Sequence, residues 1–235
     1  MKMKIKIGVI GVGFVGTAVR EGLRDFYDLK TFDISKKEDF AVDTLEDLAY
    51  QAKIIFQCLP TPMRKSGECD TRLVEKTVLE IDSICNDSEA SCEIVVIKST
   101  VPVGTNLKVV ELLSKGKDTY ASHVVSNPEF LREGSAIEDF MKPDRIIVGL
   151  NGEFGKKIIK DVYKPLYLSE FPIIFTDPAS AEIIKYASNS FLATKISFIN
   201  EIANLCEKTG IDVKDISIGM GSDERIGDRF LRAGP

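Results

Sequence analysis

KIKIGVIGVGFVG, residues 4–16, is the stretch that decides the fold. Lys4 to Ile10 alternates and then runs apolar, the pattern of a buried strand. Gly11-Val12-Gly13-Phe14-Val15-Gly16 follows at once, and a helical pattern continues to about Leu23. Glycine spacing by itself is a weak signal, because tight turns of many kinds use it. Here a strand precedes it, a helix follows it, and Thr31-Phe32-Asp33 closes a second strand with an acid at the expected offset. In that setting the glycines let backbone N–H groups reach a pyrophosphate at a helix N-terminus, and Asp33 accepts from an adenosine ribose. A carboxylate there repels a 2′-phosphate, so NAD is preferred over NADP; Lys36 and Lys37 soften that preference.

The same strand-then-helix rhythm continues outward. Lys53 to Leu59 reads as a strand that turns at Pro60-Thr61-Pro62, and Asp70 to about Ile84 as a helix. Glu93 to Lys98 is a strand ending in Ser99-Thr100-Val101-Pro102-Val103-Gly104-Thr105, with a helix to about Ser114. His123 to Ser126 is a short strand that enters NPEFLREG, residues 127–134. Arg145 to Leu150 and Pro172 to Phe175 are further strands, separated by a helix near Phe154 to Leu166. The expectation is an α/β fold with a doubly wound, mostly parallel Rossmann-type sheet. Ligands of such sheets sit beyond the carboxyl ends of the strands, where this reading puts all three unusual loops.

From Asp177 to Gly210 the period is helical, with Asp177 as N-cap, Pro178 in the first turn and Gly210 as the stop. About thirty residues at 1.5 Å each make a rod of roughly 45 Å. One apolar stripe is Leu192, Ile196, Ile199, Ala203 and Cys206; a second is Ile184, Ala187, Phe191, Phe198, Ile202 and Leu205. Together they predict a helix buried on two sides. Traced backwards, the first stripe runs through Asn189, Lys185 and Glu182, so an amine and an amide continue a core-facing seam where an unpaired charge is costly. Either Lys185 pairs with Glu182 on a frayed end, or the amine and amide point into a cleft. A short helix from Ile211 to Met220 and a polar tail follow. Two domains are expected, residues 1–176 and 177–235.

Composition narrows the class. The 235 residues are 44% hydrophobic and 29% charged, with a net charge of −5 and both signs interspersed, so neither a nucleic-acid nor a membrane surface is expected. Lys2, Lys4 and Lys6 interrupt the first apolar run, which argues against a signal peptide. The five cysteines, at 58, 69, 85, 92 and 206, have no CxxC or zinc spacing, and their odd number argues against a disulfide framework. No metal is expected, and a reducing cytoplasm is the simplest location. With His123 as the one histidine, serine-hydrolase chemistry is poorly supplied.

Taken together, GVGFVG, Asp33, LPTP at 59–62, KSTVPVGT at 98–105, NPEFLREG at 127–134, PDRIIVG at 143–149, EIIKYASNSFLATKISFINE at 182–201 and DERIGDRFLRAGP at 223–235 resemble the UDP-glucose/GDP-mannose dehydrogenases. The resemblance spans the chain and implies NAD-dependent oxidation of a nucleotide sugar's C6 alcohol to a carboxylate, with UDP-glucose as substrate. By resemblance, Lys185 and Glu129 frame the reacting carbon, and Asn189 and Thr100 complete a pocket around its oxygen. NAD contacts are carried over to Leu59, Pro60, Thr61, Ser99, Thr100, Val101 and Glu133 beside the glycine turn. Glu129, Phe130, Leu131, Arg132, Lys185 and Asn189 are carried over as sugar contacts. Arg225 would reach substrate across a homodimer built on the 177–210 helix.

In that family a catalytic-cysteine loop and a second nucleotide-sugar domain follow the segment resembling RFLRAGP, and none of the five cysteines stands in that context. The expectation is an amino-terminal half that binds NAD but forms little or no UDP-glucuronate alone, with a C-terminal half missing. The alternatives are a β-hydroxyacid dehydrogenase of the 6-phosphogluconate type, against which the NPEFLREG and STVPVGT loops weigh, and a non-enzymatic NAD-binding remnant that dimerises.

Overall fold

A computed structural model describes residues 3–35, 39–87, 90, 92–115, 123–168 and 172–234. Lys36 and Lys37, read above as softening the NAD preference, lie outside the described residues. The chain divides into two compact units, Met1–Ile183 and Ile184–Pro235.

The first unit alternates as the apolar runs dictate: β1 (Met3–Ile10), α1 (Phe14–Leu23), β2 (Tyr27–Phe32), α2 (Leu45–Gln51), β3 (Ile54–Gln57), α3 (Arg72–Asp87), β4 (Ile94–Ile97) and α4 (Thr105–Ser114). Then come β5 (Val124–Ser126), α5 (Ala136–Met141), β6 (Ile146–Gly149), α6 (Phe154–Tyr163), a 3-10 turn (Lys164–Leu168), β7 (Ile173–Thr176) and the start of α7 (Pro178–Thr209). The strands form one sheet in the order β2-β1-β3-β4-β5-β6-β7. β1 to β5 are mutually parallel, β6 and β7 are parallel to each other, and β5 meets β6 antiparallel through the single pair Ser126↔Gly149.

Strands covered on both faces cannot alternate polar with apolar, and β3, β4, β5 and β6 are buried at every position. Alternate residues feed two cores. Ile7, Val9, Ile54, Phe56, Ile94, Val96 and Val148 pack with Val19, Leu23, Phe140, Ile159 and Val162 of α1, α5 and α6. Ile55, Val95, Ile97 and Val124 pack with Leu48, Val74, Val78, Ile81 and Val109 of α2, α3 and α4. Tyr27, fully buried, donates its hydroxyl to the carbonyls of Asp161 and Val162 at 2.8 and 2.9 Å, and burial raises its pKa to about 12. Among the described residues no helix is long and apolar enough to cross a membrane.

Two helices went unread in the sequence. α2 has seven residues and α5 six, too short for an apolar period to repeat. α2 still announces its start, since Thr44 accepts from the Asp47 amide at 3.0 Å.

In α7 the expected cap is present: Asp177 Oδ1 accepts from the Ser180 amide at 2.9 Å, and Gly210 has φ +72°. The second unit holds most of α7, then α8 (Val213–Gly221), capped by Asp212 onto the Lys214 amide, and the tail. The expected burial on two sides is not what the structure shows. Ile199 and Cys206 of the first stripe are buried, but Phe191 is 65% exposed, Phe198 48% and Leu205 57%. The reason is that the chain after Gly210 returns along one side only: Lys195 Nζ donates to the Ile226 carbonyl at 2.9 Å, and Asn200 exchanges hydrogen bonds with Gly234. Asn189, expected in a core-facing seam, is also exposed.

Candidate active site

The parallel arrangement of β1 to β5 sends the loops that follow them to one edge of the sheet. At β1 the chain turns through Gly11, whose φ is +82°, and enters α1 at Gly13. Asp33, just past β2, closes this turn: its Oδ2 accepts from the Val12 amide at 2.7 Å, and its Oδ1 from the Ser35 amide and hydroxyl at 2.8 Å. α1 has no side-chain cap and no acidic residue in its first turn, and a Cβ built on Gly13 would meet nothing within 4 Å. Backbone donors at a helix start with no side-chain cap fit a pyrophosphate. Gly13 and Phe14 are exposed, Val15 is half-buried, and Gly11, Val12 and Gly16 are buried beneath them.

Beyond the turn, the loops after β3 and β4 are hydrogen-bonded together. Ser99 Oγ donates to the Leu59 carbonyl at 2.7 Å, and Thr61 Oγ1 to the Thr100 carbonyl at 2.8 Å. Val101 and Ser99 are buried, and Pro60 is exposed. The strand order reverses between β1 and β3, so Asp33 and the 59–61 and 99–101 loops stand on opposite sides of the switch point.

The loop after β5 folds on itself. Glu129 accepts from the Leu131 amide, and the Arg145 guanidinium stands 3.9 Å from the centre of the Phe130 ring. Arg132, expected as a sugar contact, is engaged by Asp139: its amide and its guanidinium Nε bond Oδ2 at 2.8 and 3.1 Å. Glu133 is exposed. The Arg132 guanidinium holds the Asp139 carboxyl down from 3.8 to about 2. A depressed carboxyl contributes its tie above the ordinary carboxylate range and loses it as pH falls through the lowered value. Exchange protection of the Arg132 amide should therefore persist at neutral pH and disappear between about pH 4 and 2. Asp139→Asn should lower it already at neutral pH, as amide exchange followed by NMR would record.

Several buried polar groups at this edge were not singled out from the sequence as site residues. Asn127 is fully buried; its Oδ1 accepts from Lys98 Nζ at 3.3 Å and from the Tyr163 hydroxyl, and its Nδ2 donates to the Ile147 carbonyl at 2.7 Å. Lys98 is 5% exposed. Burial pushes the Cys58 thiol up to about 12, with Lys98 pulling it down and Glu129 pushing it up. A thiol held protonated makes a poor nucleophile. Cys92 is buried too and donates to the Ile94 carbonyl. The sequence signal for Lys98 was a charge ending a run of Ile94, Val95, Val96 and Ile97.

Three expected site residues belong to the second unit. Lys185 is buried at 5% exposure. Asn189, one turn further along α7, is exposed, and Arg225 pairs with Asp223 through Nη2 at 2.6 Å from Oδ2.

The model of the UDP-glucose/GDP-mannose dehydrogenase family's NAD binding domain matches residues 21–167, and that of its central domain residues 179–235. The chain belongs to the UDP-glucose/GDP-mannose dehydrogenase family, and NAD is its cofactor. It is 45% identical over 196 residues to the UDP-glucose 6-dehydrogenase of Rhizobium meliloti (strain 1021), covering 82% of this chain and 44% of that one. To the same enzyme of Rickettsia felis it is 48% identical over 185 residues, covering 78% and 40%. A UDP-glucose dehydrogenase structure from Pyrobaculum islandicum superposes with a TM-score of 0.87 at 30% identity, over 99% of this chain and 60% of that one. The chain thus spans less than half the length of the two curated relatives. The family match decides between the two dehydrogenase families weighed from the motifs.

Proposed function

We propose that this chain provides the NAD-binding and alcohol-oxidising groups for NAD-dependent oxidation of a nucleotide sugar at C6, with UDP-glucose as the substrate. The observation that supports it most is the joining of the 59–61 and 99–101 loops at the edge where Glu129 also stands. NAD, when bound, supplies the hydride acceptor. The residues of the chain hold the cofactor and handle the alcohol. Backbone amides of the glycine turn and the start of α1 hold the pyrophosphate, and Asp33 accepts from the ribose. Leu59, Pro60, Thr61, Ser99, Thr100, Val101 and Glu133 line the remainder of the cofactor site.

Lys185 stabilises the developing alkoxide, or takes the hydroxyl proton, and Asn189 and Thr100 orient the oxygen. Glu129 would activate the water that hydrolyses the thioester left by the second oxidation, and Phe130, Leu131 and Arg132 shape the sugar loop. We assign the exposed stripe of Phe191, Phe198 and Leu205 to a homodimer contact, with Arg225 reaching the partner's substrate. The domain division is placed at residues 1–176 and 177–235. None of Cys58, Cys69, Cys85, Cys92 and Cys206 is assigned the thiol step of a second oxidation. That step and the recognition of the base are assigned to parts of the longer relatives that these 235 residues do not match.

Calorimetric titration and NADH counting on the purified chain test this. NAD should bind at least about ten times more tightly than NADP, because Asp33 faces the 2′ position. Addition of UDP-glucose should give fewer than two NADH per sugar. No NAD binding would sink the reading; two NADH per sugar would sink the assignment of the thiol step elsewhere.

A further inference from the structure

Glu182 is a carboxylate with 3% exposure in the first turns of α7, where a charge without hydrogen bonds would be costly. Each of its two oxygens accepts from the start of α4. Oε2 accepts from the Gly104 amide at 2.6 Å and Oε1 from the Asn106 amide at 2.8 Å. These are N–H groups at the start of α4, which has no side-chain cap of its own. Gly104 sits at φ +91°, a conformation that turns its amide toward the same centre as those of the helix. A residue 78 positions away in sequence thus caps α4. Burial pushes the Glu182 carboxyl up, and the Asn106, Gly104 and Thr105 amides, with the Ser126 hydroxyl, pull it down.

The capped segment is the far end of the 99–103 loop. Its near end is fixed by Ser99 on Leu59, and its middle by Thr61 on the Thr100 carbonyl. None of these hydrogen bonds is made to the glycine turn or to Asp33; the Leu59 side chain approaches the turn, 3.4 Å from where a Cβ on Gly11 would stand, and Asp33 lies across the switch point. We propose that Glu182 is a positioning residue for the nicotinamide half of NAD, holding the 99–103 loop in its binding shape through the start of α4. The inference rests on the cofactor placement of the preceding section. The adenosine and pyrophosphate are held elsewhere, so the two halves of the ligand respond differently to loss of the clamp.

Glu182→Gln tests it on the whole chain. The amide keeps one acceptor but turns an N–H₂ toward the second backbone donor, breaking half the clamp. Exchange of the Gly104 and Asn106 amides should quicken about tenfold or more, and NAD affinity should fall about tenfold, the scale of one charge-assisted hydrogen bond. ADP-ribose, which lacks nicotinamide, should bind within about twofold of the unaltered chain. Glu182→Asp keeps the charge on a shorter arm and should recover part of the NAD affinity, and it serves if the glutamine variant does not fold. Equal weakening of NAD and ADP-ribose, or faster amide exchange with unchanged NAD binding, would reduce Glu182 to a structural cap and overturn the proposal. Failure of the unaltered chain to bind either ligand would instead remove the cofactor placement, and the inference with it.

Discussion

Gly16→Ala should abolish measurable NAD binding and lower the melting temperature by about 10 °C. A Cβ on Gly16 would lie 1.8 Å from the Gly11 carbonyl oxygen and 2.9 Å from the Gly11 carbonyl carbon. Both are backbone atoms, so no rotamer change relieves the clash. Gly11 cannot yield either: it sits at φ +82°, and its own Cβ position is 2.7 Å from the Cys58 carbonyl oxygen. The turn would have to lift away from the end of β3, where the amide of the next residue, Cys58, bonds the Ile10 carbonyl at 2.8 Å. Overpacking against fixed backbone costs about 3 kcal/mol or somewhat more, and in a chain of this size each kcal/mol is worth about 2–4 °C.

The control is Gly13→Ala, since a methyl there meets nothing within 4 Å. That variant should melt within a few degrees of the parent yet bind NAD at least about tenfold more weakly, because the new methyl fills the space into which a pyrophosphate approaches. Thermal melts and NAD titrations on the pair separate the glycine that shapes the turn from the glycine that admits the ligand. If Gly16→Ala bound NAD normally, the turn would not be the cofactor cradle.

The sheet was legible because burial on both faces leaves an unmistakable mark: Ile54, Ile55 and Phe56, or Ile94 to Ile97, are apolar with no alternation. The rim loops were legible because prolines and glycines stop those runs at one end. What escaped falls into two physical kinds. α2 and α5 are shorter than two full helical repeats, so no stripe accumulates. The buried polar ties depend on tertiary approach: Glu182 reaches Gly104 across 78 positions and Tyr163 reaches Asn127 across 36. Periodicity placed Glu182 in a seam with Lys185 but could not say that its partners would be amides of another helix. The same limit explains the second stripe of α7, where apolar spacing marks a face as sticky without saying whether its own chain covers it. Phe191 and Phe198 remain exposed here because the tail folds back along the other face.

Asn127→Leu should destabilise the first unit by about 2–4 kcal/mol, read as a shift of the denaturant midpoint with the slope unchanged. The joint between β5 and β6 is where the sheet reverses direction, and it has one ladder pair, Ser126↔Gly149. The Asn127 side chain supplies what the ladder lacks. It donates to the Ile147 carbonyl on β6 at 2.7 Å, while its own amide bonds the Ile97 carbonyl on β4 at 2.9 Å. Its oxygen accepts from Lys98 and from Tyr163, whose hydroxyl burial makes harder to ionise. Leucine fills the volume but removes one donor and the acceptor shared by two buried groups, so desolvation is lost without return. Asn127→Asp divides the effect. It keeps an acceptor for Lys98 and Tyr163 but sets a second oxygen against the Ile147 carbonyl. If the aspartate variant is as unstable as the leucine one, the strand-bridging donor dominates; if it recovers most of the loss, the ammonium and phenol do. A leucine variant within about 0.5 kcal/mol of the parent would mean that the reversal is held by its flanking cores alone, and that Asn127 stitches nothing.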